Sequence, residues 1–190
     1  MRIVAGLWRG RALVAAKGDT TRPTADRVRQ ALFDMLLHAP WAGRGSVVGA
    51  TVLDAFAGTG ALGLEALSRG AAHAYFIEPD RAALAALRAN IATLNAPATI
   101  HPGDATRPPP GVPCGLVFLD PPYGKGLVER ALAALAAAGW LAPDALVIAE
   151  TARDEKLAPW GEVLAERSHG AARITVLRHT ASAARKDVLF

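Results

Sequence analysis

From residue 51 onward, short apolar runs alternate with helical patterns. The order is TVLDAF, a helix from Ala61, AYFIE, a helix from Asp80, ATIHPGDA, GLVFLDPPY, a helix from Leu127, and ALVIAE. Five runs read as strands with intervening helices require a parallel sheet covered on both faces. Only the third crossover lacks a helical pattern. The proline-rich RPPPGVP fills much of that gap and reads as a stiff loop with no part in chemistry. Farther on, EVLAERSH and ARITVLRH flank Gly170 with no room for a helix between them, which predicts an antiparallel hairpin closing one sheet edge. The expected fold is therefore α/β, with a seven-stranded, mostly parallel sheet and an antiparallel terminal hairpin.

The segment before the alternation reads differently. RIVAG and RGRALVA predict a small hairpin with arginines on one face, and TRPTADRVRQALFDMLLHAP predicts a helix. Thr24 is its expected cap, Val28, Leu32, Met35 and Leu36 its apolar stripe, and Pro40 its end. Residues 41 to 49 read as a linker. The chain thus divides into a basic extension over 1–40, a main domain over 50–179 and an unpatterned tail over 180–190. Residues 1–30 carry seven basic side chains (Arg2, Arg9, Arg11, Lys17, Arg22, Arg27, Arg29) against Asp19 and Asp26, a net +5, while the whole chain is +4, so the rest sums to −1. A basic segment on a near-neutral body suits a polyanionic partner; an ordinary solvated surface is the competing reading.

Composition excludes several classes. No apolar run approaches the ~20 residues that span a bilayer, and the arginines of MRIVAGLWRGRAL do not resemble a signal peptide, so a cytoplasmic protein without membrane attachment is expected. Cys114 is the single cysteine, which rules out an internal disulfide, and the five histidines show no ligand spacing, so no metal site is expected.

Two motifs carry chemistry. In DAFAGTGALGLEA, Gly58, Gly60 and Gly63 form a G-x-G-x-x-G between a strand and a helix, where backbone approaches a ligand closely and the helix N-terminus offers free N–H donors. Glu78, twenty residues past Gly58, can accept from both hydroxyls of a ribose. A dinucleotide and S-adenosylmethionine both satisfy this pattern. Asp54 tilts the choice, because a carboxylate beside the loop repels a pyrophosphate and suits a cationic ammonium or sulfonium. Asp104, with Ala105 behind it, ends the third strand on the same rim, where it can accept from an adenine amino group or simply cap a turn. The second motif is DPPY, residues 120 to 123. Pro121 and Pro122 stiffen the rim and remove two N–H donors. The Asp120 carboxylate and the Pro121 carbonyl can then take both hydrogens of a nucleobase amino group while Tyr123 stacks on the ring. An ordinary proline turn closed by an aromatic residue is the alternative.

Taken in order, MRIVAGLWRGRAL, TRPTADRVRQALFDML, LDAFAGTGALGLEALSRGA, FIEPD, VFLDPPYGKGL and GWL resemble the RsmD family of bacterial 16S rRNA guanine-N2 methyltransferases, over about residues 1 to 179. The resemblance implies a Rossmann-like class I methyltransferase fold and S-adenosyl-L-methionine as cofactor. It implies that Asp54, Gly58, Gly60, Glu78 and Asp104 line the cofactor site, that Arg22 and Thr24 lie beside the methionine end, and that Asp120 to Tyr123 hold the base. Arg2, Arg9 and Arg11 are the expected contacts to 16S rRNA, free or in an assembled small subunit, and the enzyme is expected to be a monomer. Several relatives carry phenylalanine where this chain has Tyr123, whose hydroxyl has no partner legible in the sequence. Rival readings are a DNA adenine-N6 or cytosine-N4 amino-methyltransferase, a nicotinamide-dependent oxidoreductase, and a silent RNA-binding module.

Overall fold

Seven strands form one sheet: β1 (Thr51–Asp54), β2 (His73–Glu78), β3 (Ala98–Pro102), β4 (Cys114–Leu119), β5 (Leu141–Ala152), β6 (Glu162–His169) and β7 (Ala172–Arg178). Their order is β3-β2-β1-β4-β5-β7-β6. The first five run parallel, and β7 pairs antiparallel with both β5 and β6. This is the architecture expected from the alternation. In this computed structural model, residues 1–15 and 23–180 are described, without the side chains of residues 23–25 and 44. Arg22 and the tail beyond residue 180 lie outside that range, as does the side chain of Thr24.

Both sheet faces are covered, so neighbouring strand residues are buried on opposite sides. Val52, Phe76, Leu116 and Phe118 face one core with α1 (Pro23–His38), α2 (Ala61–Ser68) and α3 (Arg81–Leu94). Leu53, Ile77, Val117 and Val147 face the other with α4 (Leu127–Ala137). The second face has a single helix because the β3–β4 crossover is the proline-rich loop. Trp140 fills that space: it is buried, and its indole N–H donates to the Pro109 carbonyl at 2.8 Å. Gly111 lies flat on the indole, where a Cβ would stand 2.2 Å from the ring. The loop thus substitutes for a helix in packing. Cys114 is buried at the start of β4, and desolvation pushes its thiol up to about 12, so it stays protonated at neutral pH.

The N-terminal region departs from expectation in three respects. Helix α1 begins at Pro23, so Thr24 lies inside the helix and is not its cap; proline suits the first helical position because its missing N–H has no intrahelical partner there. Val47 is fully buried, so residues 41–49 are partly anchored and not a free linker. The expected hairpin narrows to a single antiparallel bridge, Arg2 with Ala12. Around it Ile3 N–H donates to the Arg11 carbonyl and Gly10 N–H to the Ile3 carbonyl, both at 2.9 Å, and Leu13 N–H to the Met1 carbonyl at 3.0 Å, while the segment's other donors turn to α2 and α3. Val4 and Ala5 donate to the two Glu65 carboxylate oxygens at 2.8 and 3.0 Å, Leu7 and Trp8 donate to the Ser68 carbonyl and hydroxyl, and Val14 donates to Asn90 Oδ1. At Gly6 a Cβ would stand 1.8 Å from the Ser68 carbonyl oxygen, so only glycine permits this docking.

Glu65 is fully buried, and such a carboxylate persists only when it is paired and hydrogen-bonded. Arg69 Nε lies 2.8 Å from Oε1 and Arg29 Nε 3.5 Å from Oε2. Arg29 also donates to Asp26 Oδ1 and to the Arg2 carbonyl, both at 2.7 Å. Arg69 donates to Gln30 at 3.0 Å and covers the Phe33 ring at 4.8 Å. Arg29 therefore belongs to the interior and not to the basic surface counted from sequence. Glu65→Ala would strand two buried guanidinium groups and two backbone N–H donors, so the unfolding free energy should drop by about 3 kcal/mol. Urea melts check this; a loss within ~0.5 kcal/mol would mean the network is solvated and marginal.

Candidate active site

The strand order reverses between β1 and β4, and the crevice beyond the carboxyl ends of strands at such a point is where open α/β sheets bind ligands. Both sequence motifs meet there. The glycine loop leaves β1 and the DPPY turn leaves β4, which is hydrogen-bonded to β1 through Asp54 opposite Phe118.

The loop is held from beneath by carboxylates. Helix α2 opens on Gly60 in the left-handed region with no side-chain cap of its own. Asp54 supplies one from the strand, its Oδ2 accepting from Gly63 N–H at 3.0 Å. Glu78 accepts from Gly58 N–H at 2.7 Å and from Asp80 N–H at 2.8 Å. The three glycines do different work. A Cβ at Gly60 would stand 2.4 Å from Leu87 of α3 and one at Gly63 2.4 Å from Phe76 of β2, so these two let the start of α2 pack against its neighbouring helix and the sheet. At Gly58 a Cβ would meet nothing within 4 Å, and this glycine faces open space.

Asp54 is buried beneath the loop, not exposed in the cleft. Burial pushes its carboxyl up to about 7, with the Gly63 N–H opposing and the Glu78 charge adding to the rise. Asp104 is half-buried; its Oδ1 accepts from both the N–H and the hydroxyl of Thr106 at 2.8 Å, which holds its pKa below 3.8. It therefore caps a turn, and its other oxygen lies 3.8 Å from Arg107. Ala105 is buried behind it.

Asp120 differs from all of these. It lies on the open side of the rim, yet its carboxyl is hemmed in by protein, and that crowding first, then the Glu150 and Asp54 charges, push it up to about 7. No hydrogen bond to its carboxylate forms among the described residues. Pro121 is buried, Pro122 is exposed, and the Tyr123 side chain is exposed at 42%. The tyrosine hydroxyl donates to Glu150 Oε1, and Gly124 N–H donates to Glu155 Oε2 at 3.1 Å. Sequence reasoning missed Glu150, although it ends ALVIAE just as Asp54 and Glu78 end their strands, a repeated acidic ending that was there to be read.

Asp54, Glu78, Asp120 and Glu150 thus form a row along the strand ends, and among the described residues no cationic side chain lies within ion-pair distance of any of them. Such a row repels a pyrophosphate and suits an adenosine that bears a positive charge.

The expected RNA contacts belong to the N-terminal segment. Arg2, Arg9 and Arg11 are exposed, and Arg2 and Arg9 line a groove of about 780 Å³ together with Arg27 and Asp26. Arg2 is 3.5 Å from Asp26, and Arg11 donates to the Thr93 carbonyl at 3.3 Å. Met1, which also lines this groove, touches the glycine loop through Thr59, whose hydroxyl is 3.8 Å from the Met1 sulfur.

Strand order, glycine loop and DPPY turn together define a Rossmann-like methyltransferase. A family model described as "Conserved hypothetical protein 95" matches residues 1–178. The chain is 46% identical over 154 residues to the ribosomal RNA small subunit methyltransferase D of Escherichia coli K12, covering 80% of this chain and 74% of that protein. It is 39% identical over 164 residues to the protein of the same name from Haemophilus influenzae, covering 83% and 81%. A solved structure of a putative methyltransferase from Escherichia coli superposes with a TM-score of 0.82 at 39% identity, over 95% of this chain and 98% of that one. The chain belongs to this family, the RsmD methyltransferases.

Asp54 generates a pH prediction. Its folded-state pKa of about 7 lies above its ordinary value of 3.8, so its protonated form favours the fold; that contribution is full below about pH 4 and is lost as pH rises through 7. Asp54→Asn mimics the protonated carboxyl and keeps an acceptor for Gly63. Relative to this variant, the parent should lose thermal stability between pH 4 and pH 7; parallel melting curves across that window would show that Asp54 ionises freely.

Proposed function

We propose that the chain transfers a methyl group from S-adenosylmethionine to the exocyclic N2 amino group of a guanine in 16S ribosomal RNA. The observation that carries this reading is the Asp120 carboxylate, an acceptor left unpartnered at a rim where the neighbouring carboxylates are engaged by N–H or O–H donors. Bound S-adenosylmethionine supplies an electrophilic methyl group on a sulfonium. Glu78, with a lone pair left on each oxygen, would accept from the ribose hydroxyls, Gly58 would admit the ligand, and Asp54 would add negative charge beneath it. Gly60, Asp104 and Ala105 would complete the wall, and the family resemblance puts Arg22 and Thr24, which lie outside the described side chains, at the methionine end.

The target guanine would be unpaired or flipped from its stack and laid against the exposed Tyr123 ring. Asp120 and the Pro121 carbonyl then accept its two amino hydrogens, which turns the nitrogen lone pair toward the methyl group. Pro122 keeps the turn stiff. Alignment of this kind supplies much of the rate, because displacement is sensitive to the angle of approach. Asp120 takes the proton released after transfer, and the chain needs no covalent nucleophile. The basic extension, residues 1–40, would anchor the RNA through Arg2, Arg9 and Arg11, while residues 50–179 perform the transfer.

Labelled S-adenosylmethionine offered with free 16S rRNA, assembled small subunits and DNA tests the assignment, with the modified base mapped afterwards. Label on DNA alone, or on none of the three, would overturn it. Asp120→Ala should lower transfer ~10²-fold or more while calorimetry still shows cofactor binding. Because Asp120 must be ionised to accept, the parent rate should fall as pH drops below about 7. Arg9→Ala with Arg11→Ala should weaken RNA binding and reduce the salt slope by roughly 0.7–0.9 per lost phosphate contact; an unchanged slope would remove the extension from the RNA interface.

A further inference from the structure

The hydroxyl of Tyr123 is absent from a phenylalanine, so its partner marks something this chain adds to the site. That partner is Glu150, on β5 where Ala149 stands opposite Leu119 of β4, the last strand residue before DPPY. One side of β5 is therefore bonded to the strand that presents the turn. Its other side is bonded to β7, with Glu150 opposite Ile174. Glu150 consequently sits on a strand held on both edges, while Tyr123 sits in a turn without regular structure and with an exposed ring. The bond ties an irregular turn to an interior strand of the sheet.

We propose that Glu150 is a positioning residue for methyl transfer: by accepting the Tyr123 hydroxyl hydrogen it fixes the aromatic ring on which the target base stacks. An aromatic ring on a glycine-flanked turn has two side-chain torsions to settle, and Gly124 and Gly126 both adopt positive φ (74° and 57°), so the turn has little stiffness beyond its prolines. A hydrogen bond to a charged acceptor is among the stronger ones, and it anchors the far end of the ring, where the prolines cannot reach. Glu155 supports the same turn one residue later through Gly124 N–H. Two carboxylates from the β5 side thus hold the two residues that follow Pro122.

The placement has an electrostatic consequence. The groups that face Asp120 are Glu150 from β5, Asp54 from β1 and the Tyr123 hydroxyl from its own turn, and the two carboxylates raise its proton affinity. Removing the charge of Glu150 while keeping an acceptor should therefore let Asp120 ionise at lower pH, which separates the positioning role from the charge.

The inference rests on the methyl-transfer reading for its kinetic part only, and a physical measurement tests it independently. The chain has two tyrosines, Tyr75 and Tyr123, so ring carbons of tyrosine-labelled protein give two resolvable sets of NMR signals. In Glu150→Ala the Tyr123 set should shift and narrow toward that of a freely rotating ring, while in Glu150→Gln it should stay near the parent position. Unchanged Tyr123 signals in Glu150→Ala overturn the proposal whether or not the enzyme is active. In turnover assays, Tyr123→Phe and Glu150→Ala should each lower kcat/KM about tenfold, with a raised KM for RNA, and the double variant should be no worse than either alone. Additive losses of about a hundredfold would show that the two residues act separately and would overturn it. Glu150→Gln should move the acid limb of the rate profile about half a unit toward lower pH, and an unmoved limb would overturn the electrostatic consequence. If Glu150→Ala fails to fold, Tyr123→Phe decides by its kcat/KM, an unchanged value overturning the proposal, and Glu150→Gln decides by the rate profile. An inactive parent enzyme with the expected NMR changes would strike the methyl-transfer reading alone.

Discussion

Glu65 is the point on which the N-terminal half of the molecule depends. A carboxylate in the interior is costly to desolvate, and here the cost is offset by two guanidinium groups and two backbone N–H donors that converge on its two oxygens. Each partner brings a different element. Val4 and Ala5 bring the N-terminal segment, Arg29 brings α1, and Arg69 brings the end of α2. The segment itself has little regular pairing, so its position is set by these side-chain acceptors and by Ser68 and Asn90. The exposed arginines and the groove they line inherit their geometry from a charge that solvent never reaches.

A second set of carboxylates organises the opposite end of the sheet by the same means. Asp54 and Glu78 turn their oxygens toward loop N–H groups and so hold the glycine loop from the strand ends, while their charges remain close enough to be felt across the rim. Asp54 raises the proton affinity of Asp120, and Glu78 raises that of Asp54. The same groups thus serve as structural acceptors and as the source of a negative field. This double use explains how acidic residues can be concentrated at one edge without cationic side chains to neutralise them.

Most of the frame was legible from periodicity. Helix starts at Ala61 and Leu127 and the hairpin around Gly170 follow from local patterns and the structure reproduces them, while the helix expected from Asp80 begins one residue later, with Asp80 as its cap. What periodicity could not supply are contacts between distant residues. Glu65, Ser68 and Asn90 reach backbone groups about 60 to 76 positions away, and no local pattern marks a helical glutamate as an acceptor for another segment's backbone. The expected hairpin is present but short, paired through Ile3, Gly10 and Leu13 N–H, and these distant acceptors take up the donors it leaves over. Trp140 was equally hidden: nothing in RPPPGVP says that an indole from the far side of α4 takes the place of a helix. The glycine motif was read correctly as a loop, but its spacing does not say that Gly60 and Gly63 serve packing and that Gly58 alone faces open space.

That division among the glycines bears on how such a loop comes to select its ligand. Gly60 and Gly63 face Leu87 of α3 and Phe76 of β2, contacts that close packing of the start of α2 on its neighbours demands, and they carry no information about chemistry. Selectivity has to come from groups outside the glycines. The strand ends provide it: Asp54 and Glu78 are the last residues of β1 and β2, Asp120 follows β4 directly and Glu150 lies near the end of β5, so four acidic side chains stand along one rim. A pyrophosphate brought to this loop would meet the helix N-terminus it prefers and, a few ångströms away, a field that expels it. An adenosine carrying a positive charge meets both favourably. The backbone motif therefore fixes where a nucleotide-like ligand can approach, and the charges at the ends of β1, β2, β4 and β5 decide which one stays.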